Sequence, residues 1–165
     1  MALATQYQKK TDKEHILDNP DTYIGSIENI NGPMYVYEDN KIICKTMDYN
    51  PGLFKLFDEG IVNCRDHVVR MIQQKETNPD VHLVNMIDIE IVDDVITMTN
   101  NGNGIDVEKH PTYDVWIPEL VFGHLRTSTN YNKDEEKITG GKNGFGFKLV
   151  LIWSTYGMIE TVDHI

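Results

Sequence analysis

Cysteine is scarce in this chain: Cys44 and Cys64 are the two it has in 165 residues. They form neither a C-x-x-C pair nor a framework, which argues against a disulfide scaffold or a thiolate metal cluster and makes a reducing compartment the simpler setting. Long apolar runs are missing as well. Nothing approaches the ~18 residues of a membrane span, and Met1 to Ala4 lead into polar residues rather than a signal-peptide core. Basic charge is short too: 15 Lys and Arg face 26 Asp and Glu, a formal charge of −11 that repels a polyanion. Any DNA contact then falls to a local patch or to another part of a larger protein. His15, His82, His110, His124 and His164 show no metal-ligand spacing. Internal repeats and dividing linkers are also lacking. What remains is ordinary globular composition, 40% hydrophobic and 25% charged, in a chain long enough for one domain with its own core.

The chain opens with Thr11-Asp12-Lys13-Glu14, a capping box for a short helix closed by Asn19-Pro20-Asp21. Met34 to Tyr37 and Lys41 to Met47 predict a small hairpin. Asn50-Pro51 starts a long helix ending near Glu76, whose apolar positions Leu53, Phe57, Ile61, Cys64, Val68 and Met71 make one stripe expected to be buried. Val84 to Val92 and Val95 to Thr99 read as paired strands turned at Asp93-Asp94. Pro118 suits the first turn of a helix over Glu119 to Leu125, and Arg126 to Gly141 is polar and loop-like. A last helix is expected from about Asn143 to Tyr156. Met158 to Ile165 reads as a strand still needing a partner, which points to a piece of a longer protein.

Three segments could carry chemistry. Glu59, Asn63, Asp66 and Arg70 recur at helical spacing and share one face. A carboxylate there could deprotonate a water, and an amide oxygen suits Mg²⁺; the same pattern also serves a solvated face of i,i+4 pairs. Gly60, costly in mid-helix, fits a close approach to the backbone. Asn100-Asn101-Gly102-Asn103-Gly104-Ile105 follows a strand, where an Asn oxygen could accept from adenine's amine, although Asn-Gly is equally the dipeptide of a plain turn. Thr139-Gly140-Gly141-Lys142-Asn143-Gly144-Phe145-Gly146-Phe147-Lys148 runs into an apolar helical pattern. Its glycines and the helix start outline a phosphate cradle, or else a mobile turn.

In order, Glu-x-x-x-Asn on a helix, Asn-Asn-Gly-x-Gly after a strand and Gly-x-x-Gly-x-Gly before a helix resemble the three boxes of the ATPase superfamily of gyrase, Hsp90, MutL and histidine kinases. Tyr7 to Thr11, Glu14 to Leu17, Pro20 to Ser26, Pro51 to Leu53, Phe57 to Glu59, Phe122-Gly123, Thr127-Ser128 and Asn130-Tyr131 narrow this. With them, nearly the whole chain resembles the N-terminal ATPase region of eukaryotic-type DNA topoisomerase II.

That resemblance implies a two-layer α/β (α+β) sandwich, with helices on one face of a mixed, mostly antiparallel sheet that is truncated at its C-terminal end. It implies a strap over residues 1–26, reaching across a homodimer, and an ATP-binding domain over 27–165 without its transducer domain. Glu59 matches the general base and Asn63 the Mg²⁺ ligand. Asn100 matches the adenine-side position, with Gly102 and Gly104 beneath it. Ser128, Thr129 and Asn130 match a ribose and phosphate segment in which Thr replaces a Ser. Gly141, Lys142, Asn143, Gly144, Phe145, Gly146, Phe147 and Lys148 match the lid over the triphosphate. Gly60, Cys64, Arg65, His67, Arg126 and Phe147 stand where the family commonly has Ile, Ala, Ala, Asn, Leu and Ala. The implied activity is an ATP-operated gate for passing one DNA duplex through a break in another, with double-stranded DNA held by other domains. The implied location is the nucleus, or a viral factory or the cytoplasm if the source is a virus. The rivals are a nucleotide-operated chaperone or mismatch-repair clamp of the same superfamily, and a remnant that binds ATP without turnover.

Overall fold

The computed structural model describes residues 7–127 and 144–163. The chain forms two compact units, Met1–Phe57 and Asp58–Ile165.

In the first unit, Thr11 caps helix α1 (Asp12–Asp18): its hydroxyl accepts from Glu14 N at 3.2 Å, and the Glu14 carboxylate accepts from Thr11 N at 2.8 Å. The Thr11 N–H foremost, and then the Thr11 hydroxyl donating to the same carboxylate at 2.8 Å, hold the Glu14 carboxyl below its ordinary pKa. Ile16, on the inner side of α1, is completely buried. Asn19 closes the helix by donating to His15 O at 2.7 Å. A second, unforeseen short helix follows, α2 (Pro20–Tyr23), started by a proline whose fixed φ suits a first turn. Gly25, at φ 90°, ends it.

Strands β1 (Ile30–Glu38) and β2 (Lys41–Tyr49) pair antiparallel from Ile30↔Tyr49 to Glu38↔Lys41. Asp39 and Asn40 both take positive φ, the two-residue turn that matches strand twist. The hairpin is longer than the sequence predicts, because Asn31-Gly32-Pro33 reads as a breaker. A two-stranded sheet has free edges on which a proline costs no ladder bond, and Pro33 pairs with Thr46. Asn50 starts helix α3 (Pro51–Thr77), its side chain accepting from Leu53 N at 2.9 Å and donating to Ile27 O at 2.6 Å. Leu53 departs from the expected stripe and is exposed. Gly52 takes the inward position instead, its N–H on Ser26 O at 2.8 Å, and the next residue turns ~100° away.

The second unit holds the rest of α3, a hairpin of β3 (Ile87–Val92) and β4 (Val95–Asn100), helix α4 (Ile117–Gly123) and helix α5 (Gly146–Trp153). The α+β class is as expected, and every strand pair among the described residues is antiparallel. Its core gathers Met71, Val81 and Val84 with Val68 against them, and Cys64 and Leu149 are buried as well. Strand β3 begins at Ile87 rather than Val84 because the N–H groups of Asn85 and Met86 go to the Asn101 side chain, each at 3.0 Å, instead of into a ladder. Helix α5 is shorter than predicted: Gly144 sits at φ 68°, outside helical space, and Ser154 is extended.

The strand expected from Met158 does not form among the described residues. Side chains make the connection there instead. Thr161 Oγ1 accepts from Ile105 N at 2.9 Å and Asp163 from Val107 N at 3.0 Å. Cys44 and Cys64 are free thiols, and no described helix is long and apolar enough to cross a membrane.

Because the Thr11 cap satisfies a helix-end donor that is otherwise orphaned, Thr11→Ala is expected to destabilise the first unit by about 1 kcal/mol. Urea unfolding followed by circular dichroism measures it, and Thr11→Ser should retain most of the stability.

Candidate functional site

The second unit brings the start of α5 onto one face of α3. A Cβ on Gly146, the first residue of α5, would lie 3.3 Å from Glu59 Oε2 and 3.9 Å from Asn63 Nδ2. The absence of a side chain at Gly146 therefore lets a helix N-terminus stand close beside a carboxylate and an amide. Asn63 donates to Glu59 O at 2.9 Å, which ties its amide nitrogen to the helix and leaves Oδ1 available as a hard oxygen donor. Glu59 is half-buried and Asn63 exposed. Asp66, grouped with them by spacing, is different: it is 3% exposed and pairs with Arg65 at 3.3 Å, so this face is not simply solvated.

Met98 and Asn100 are the two half-buried positions of β4, two residues apart and hence on one face. Met98 packs on α3 where Gly60 lacks a side chain: a Cβ there would meet Met98 Sδ at 2.5 Å and Phe147 Cε2 at 3.6 Å. Asn100 thus lies on the face of β4 that meets α3, its amide donating to Asn101 O at 3.2 Å.

The turn after Asn100 is fixed from several sides. Gly102 adopts φ 98° and lies so close to His82 and Val84 that a Cβ would stand 2.8 Å from Val84 Cγ2. A Cβ on Gly104 would collide with the backbone carbonyl of Val162. Asn103, 7% exposed, accepts from His82 N at 2.7 Å through its side chain, while its carbonyl lies 2.7 Å from His67 Nε2. Burial, with Arg70 as a smaller cause, pushes the His67 pKa down against the opposing bond to Asn103. Residues His67, Arg70, Asn103, Gly104, Ile105 and Ile117 line part of a cavity of about 350 Å³. The position of His67, one turn beyond Asn63, was the sequence signal for this wall; the role of Asn103 had none.

Of the glycine-rich segment, Gly144, Phe145, Gly146, Phe147 and Lys148 are described, whereas Ser128, Thr129, Asn130, Gly141, Lys142 and Asn143 lie outside the described residues. Lys148 is buried and donates to Thr127 O at 2.7 Å and Gly144 O at 2.9 Å, so its ammonium bridges two backbone carbonyls; burial lowers its pKa. Arg126 N also donates to Gly144 O, at 3.1 Å. Phe147 meets Phe122 edge to face, centroids 5.8 Å apart.

No family model matches the chain. It is 46% identical over 170 residues to DNA topoisomerase 2 of Acanthamoeba polyphaga mimivirus, covering 98% of this chain and 13% of that protein. It is 44% identical to DNA topoisomerase 2 of Pisum sativum, covering 98% and 10%. Among solved structures, the ATPase region of Saccharomyces cerevisiae topoisomerase II superimposes with a TM-score of 0.77 at 42% identity, over 92% of this chain and 39% of that one. The ATPase and transducer domains of topoisomerase II from Balamuthia mandrillaris give 0.78 at 40%, over 93% and 38%. The chain belongs to the type II DNA topoisomerase family, at its ATPase region. It spans 13% and 10% of the length of the two relatives named first.

Within this topoisomerase fold, two positions at which the resemblance implies other residues lie in contact range of each other. At Gly60 the resemblance implies Ile and at Phe147 Ala; Met98 takes the space over Gly60, and Phe147 Cε2 lies in ordinary contact range, 3.6 Å from where a Cβ would stand. Either reversion alone, Gly60→Ile by overpacking or Phe147→Ala by leaving a void, is expected to cost about 1–3 kcal/mol. The double variant should cost clearly less than the sum, a coupling that a double-mutant cycle by thermal or urea unfolding reads directly.

Proposed function

We propose that this chain binds Mg·ATP between α3, the Asn100 to Ile105 turn and the start of α5, and that Glu59 takes the proton of the water attacking the γ-phosphate. The observation that carries this is the approach of Gly146 to Glu59 and Asn63, which sets a base, an oxygen donor and a helix N-terminus around one point. A carboxylate oriented in this way can accept a proton as the nucleophile forms, while backbone N–H groups at the start of α5 stabilise charge on the phosphate oxygens. Lys148 ties the carbonyls of Thr127 and Gly144 together beside the start of α5.

The donor set suits Mg²⁺. Among the described residues no cluster of three His, Cys, Asp or Glu could hold a metal, and Asn63 offers one uncharged oxygen. Such a site fits an ion that brings its waters and the substrate's phosphates with it, and Asn63 would hold it. When bound, Mg²⁺ neutralises phosphate charge. Asn100, Gly102 and Gly104 form the base-side wall, and Ser128, Thr129, Asn130, Gly141, Lys142 and Asn143 complete the ribose and triphosphate contacts.

In the intact protein, by analogy with its topoisomerase relatives, nucleotide binding favours a closed homodimer with residues 1–26 as strap. Closure captures one DNA duplex for passage through another. The acidic balance of the chain assigns the DNA contacts to other domains. The working compartment is the nucleus, or a viral factory or the cytoplasm for a viral protein.

In the full-length protein, Glu59→Gln should leave binding of a non-hydrolysable ATP analogue near normal and reduce ATP turnover by a factor on the order of 10²–10⁴, since an amide keeps the shape but takes no proton. Unchanged turnover in a coupled ATPase assay refutes the base assignment. Asn63→Ala should weaken the Mg²⁺ dependence of nucleotide affinity in calorimetric titrations, and an unaltered Mg²⁺ titration removes Asn63 as ligand.

A further inference from the structure

One turn past Asn63, helix α3 carries a second chemically defined group, facing a cavity whose wall it shares with Asn103, Gly104 and Ile105 of the turn. The His67 ring lines the cavity and is half-buried, and its Nε2 lies 2.7 Å from the carbonyl oxygen of Asn103. A carbonyl only accepts, so Nε2 must carry the proton, and in the neutral ring Nδ1 then presents a lone pair. Burial and the neighbouring Arg70 both act against the doubly protonated ring. Nδ1 has no hydrogen-bond partner among the described residues. Asn103 itself is immobilised, buried and holding His82 N through its side chain. The imidazole is thereby fixed in one tautomer and one orientation at the cavity wall.

We propose that His67 is a ligand-positioning residue, whose Nδ1 accepts a hydrogen bond from an N–H or O–H donor of the bound nucleoside while Nε2–H anchors the ring to the Asn103 turn. This rests on the nucleotide reading above and deepens it. The donors of that chemistry in ATP are the exocyclic amine of the base and the ribose hydroxyls. A residue of this kind couples the ligand to the turn: a nucleoside that donates to Nδ1 polarises the ring and strengthens its bond to Asn103.

The test is calorimetric titration of the full-length protein with AMPPNP, comparing unaltered chain, His67→Phe and His67→Gln. His67→Phe should weaken binding about tenfold, the loss of one useful hydrogen bond, and His67→Gln should restore much of it because an amide can both donate and accept. Titration with the triphosphates of inosine, 2′-deoxyadenosine and 3′-deoxyadenosine locates the donor: the analogue lacking it should bind the unaltered chain and His67→Phe equally. A measurement on the unaltered chain guards against a misfolded variant. In ¹⁵N histidine spectra, AMPPNP should shift the unprotonated nitrogen of His67 toward the hydrogen-bonded range while the protonated one stays in place. Equal AMPPNP affinity in the unaltered chain and His67→Phe, or an unmoved Nδ1 resonance at saturation, overturns the inference while leaving the nucleotide reading intact. Failure of the unaltered protein to bind AMPPNP overturns both.

Discussion

The second unit depends on one close approach, the N-terminus of α5 against the Glu59 and Asn63 face of α3, which a side chain at position 146 would obstruct. Electrostatics and sterics agree there. A helix N-terminus attracts negative charge, so a carboxylate beside it is favourably placed, and the same end of the dipole suits an anionic ligand. Holding that arrangement falls to contacts with no chemical role: Met98 over Gly60, Phe147 on Phe122, and the Lys148 ammonium across Thr127 and Gly144.

Much of this was legible in the chain itself. Local rules sufficed wherever a residue acts on its immediate neighbours: the Thr11 capping box, the apolar spacing of α3 from Cys64 to Met71, the Asp93-Asp94 turn and the proline at the start of α4 all follow from contacts a few residues apart. The pairing of Glu59 with Asn63 is of this kind, one helical turn apart. Reading failed where a distant segment redirected the backbone. Asn101 diverts the N–H groups that would have extended β3, and Thr161 and Asp163 satisfy backbone donors that a strand would otherwise have paired. Leu53 is apolar and in register yet exposed, because Gly52 already occupies the inward position. None of these outcomes is encoded within the window a periodicity argument inspects.

The departures from common family residues illustrate the same division. Gly60 lowers the helix propensity of α3 but makes room for Met98, with the Phe147 ring of α5 in contact range beside it. His67 differs in kind. Its neighbour is the backbone of the Asn103 turn, so what it alters is the polar surface of the cavity and not its volume.

The link between Thr161 and Ile105, 56 residues apart, bears on the order in which the protein is assembled. On the ribosome the Asn100 to Val107 turn emerges well before the segment that braces it. Chain synthesis adds only about 5–20 residues per second, so the wall stays unfinished until residues 161 to 163 have emerged and docked. During that interval the nascent turn is held by its bonds to His67, His82, Asn85 and Met86 and by its packing on Val84, and any early ligand meets an incomplete wall.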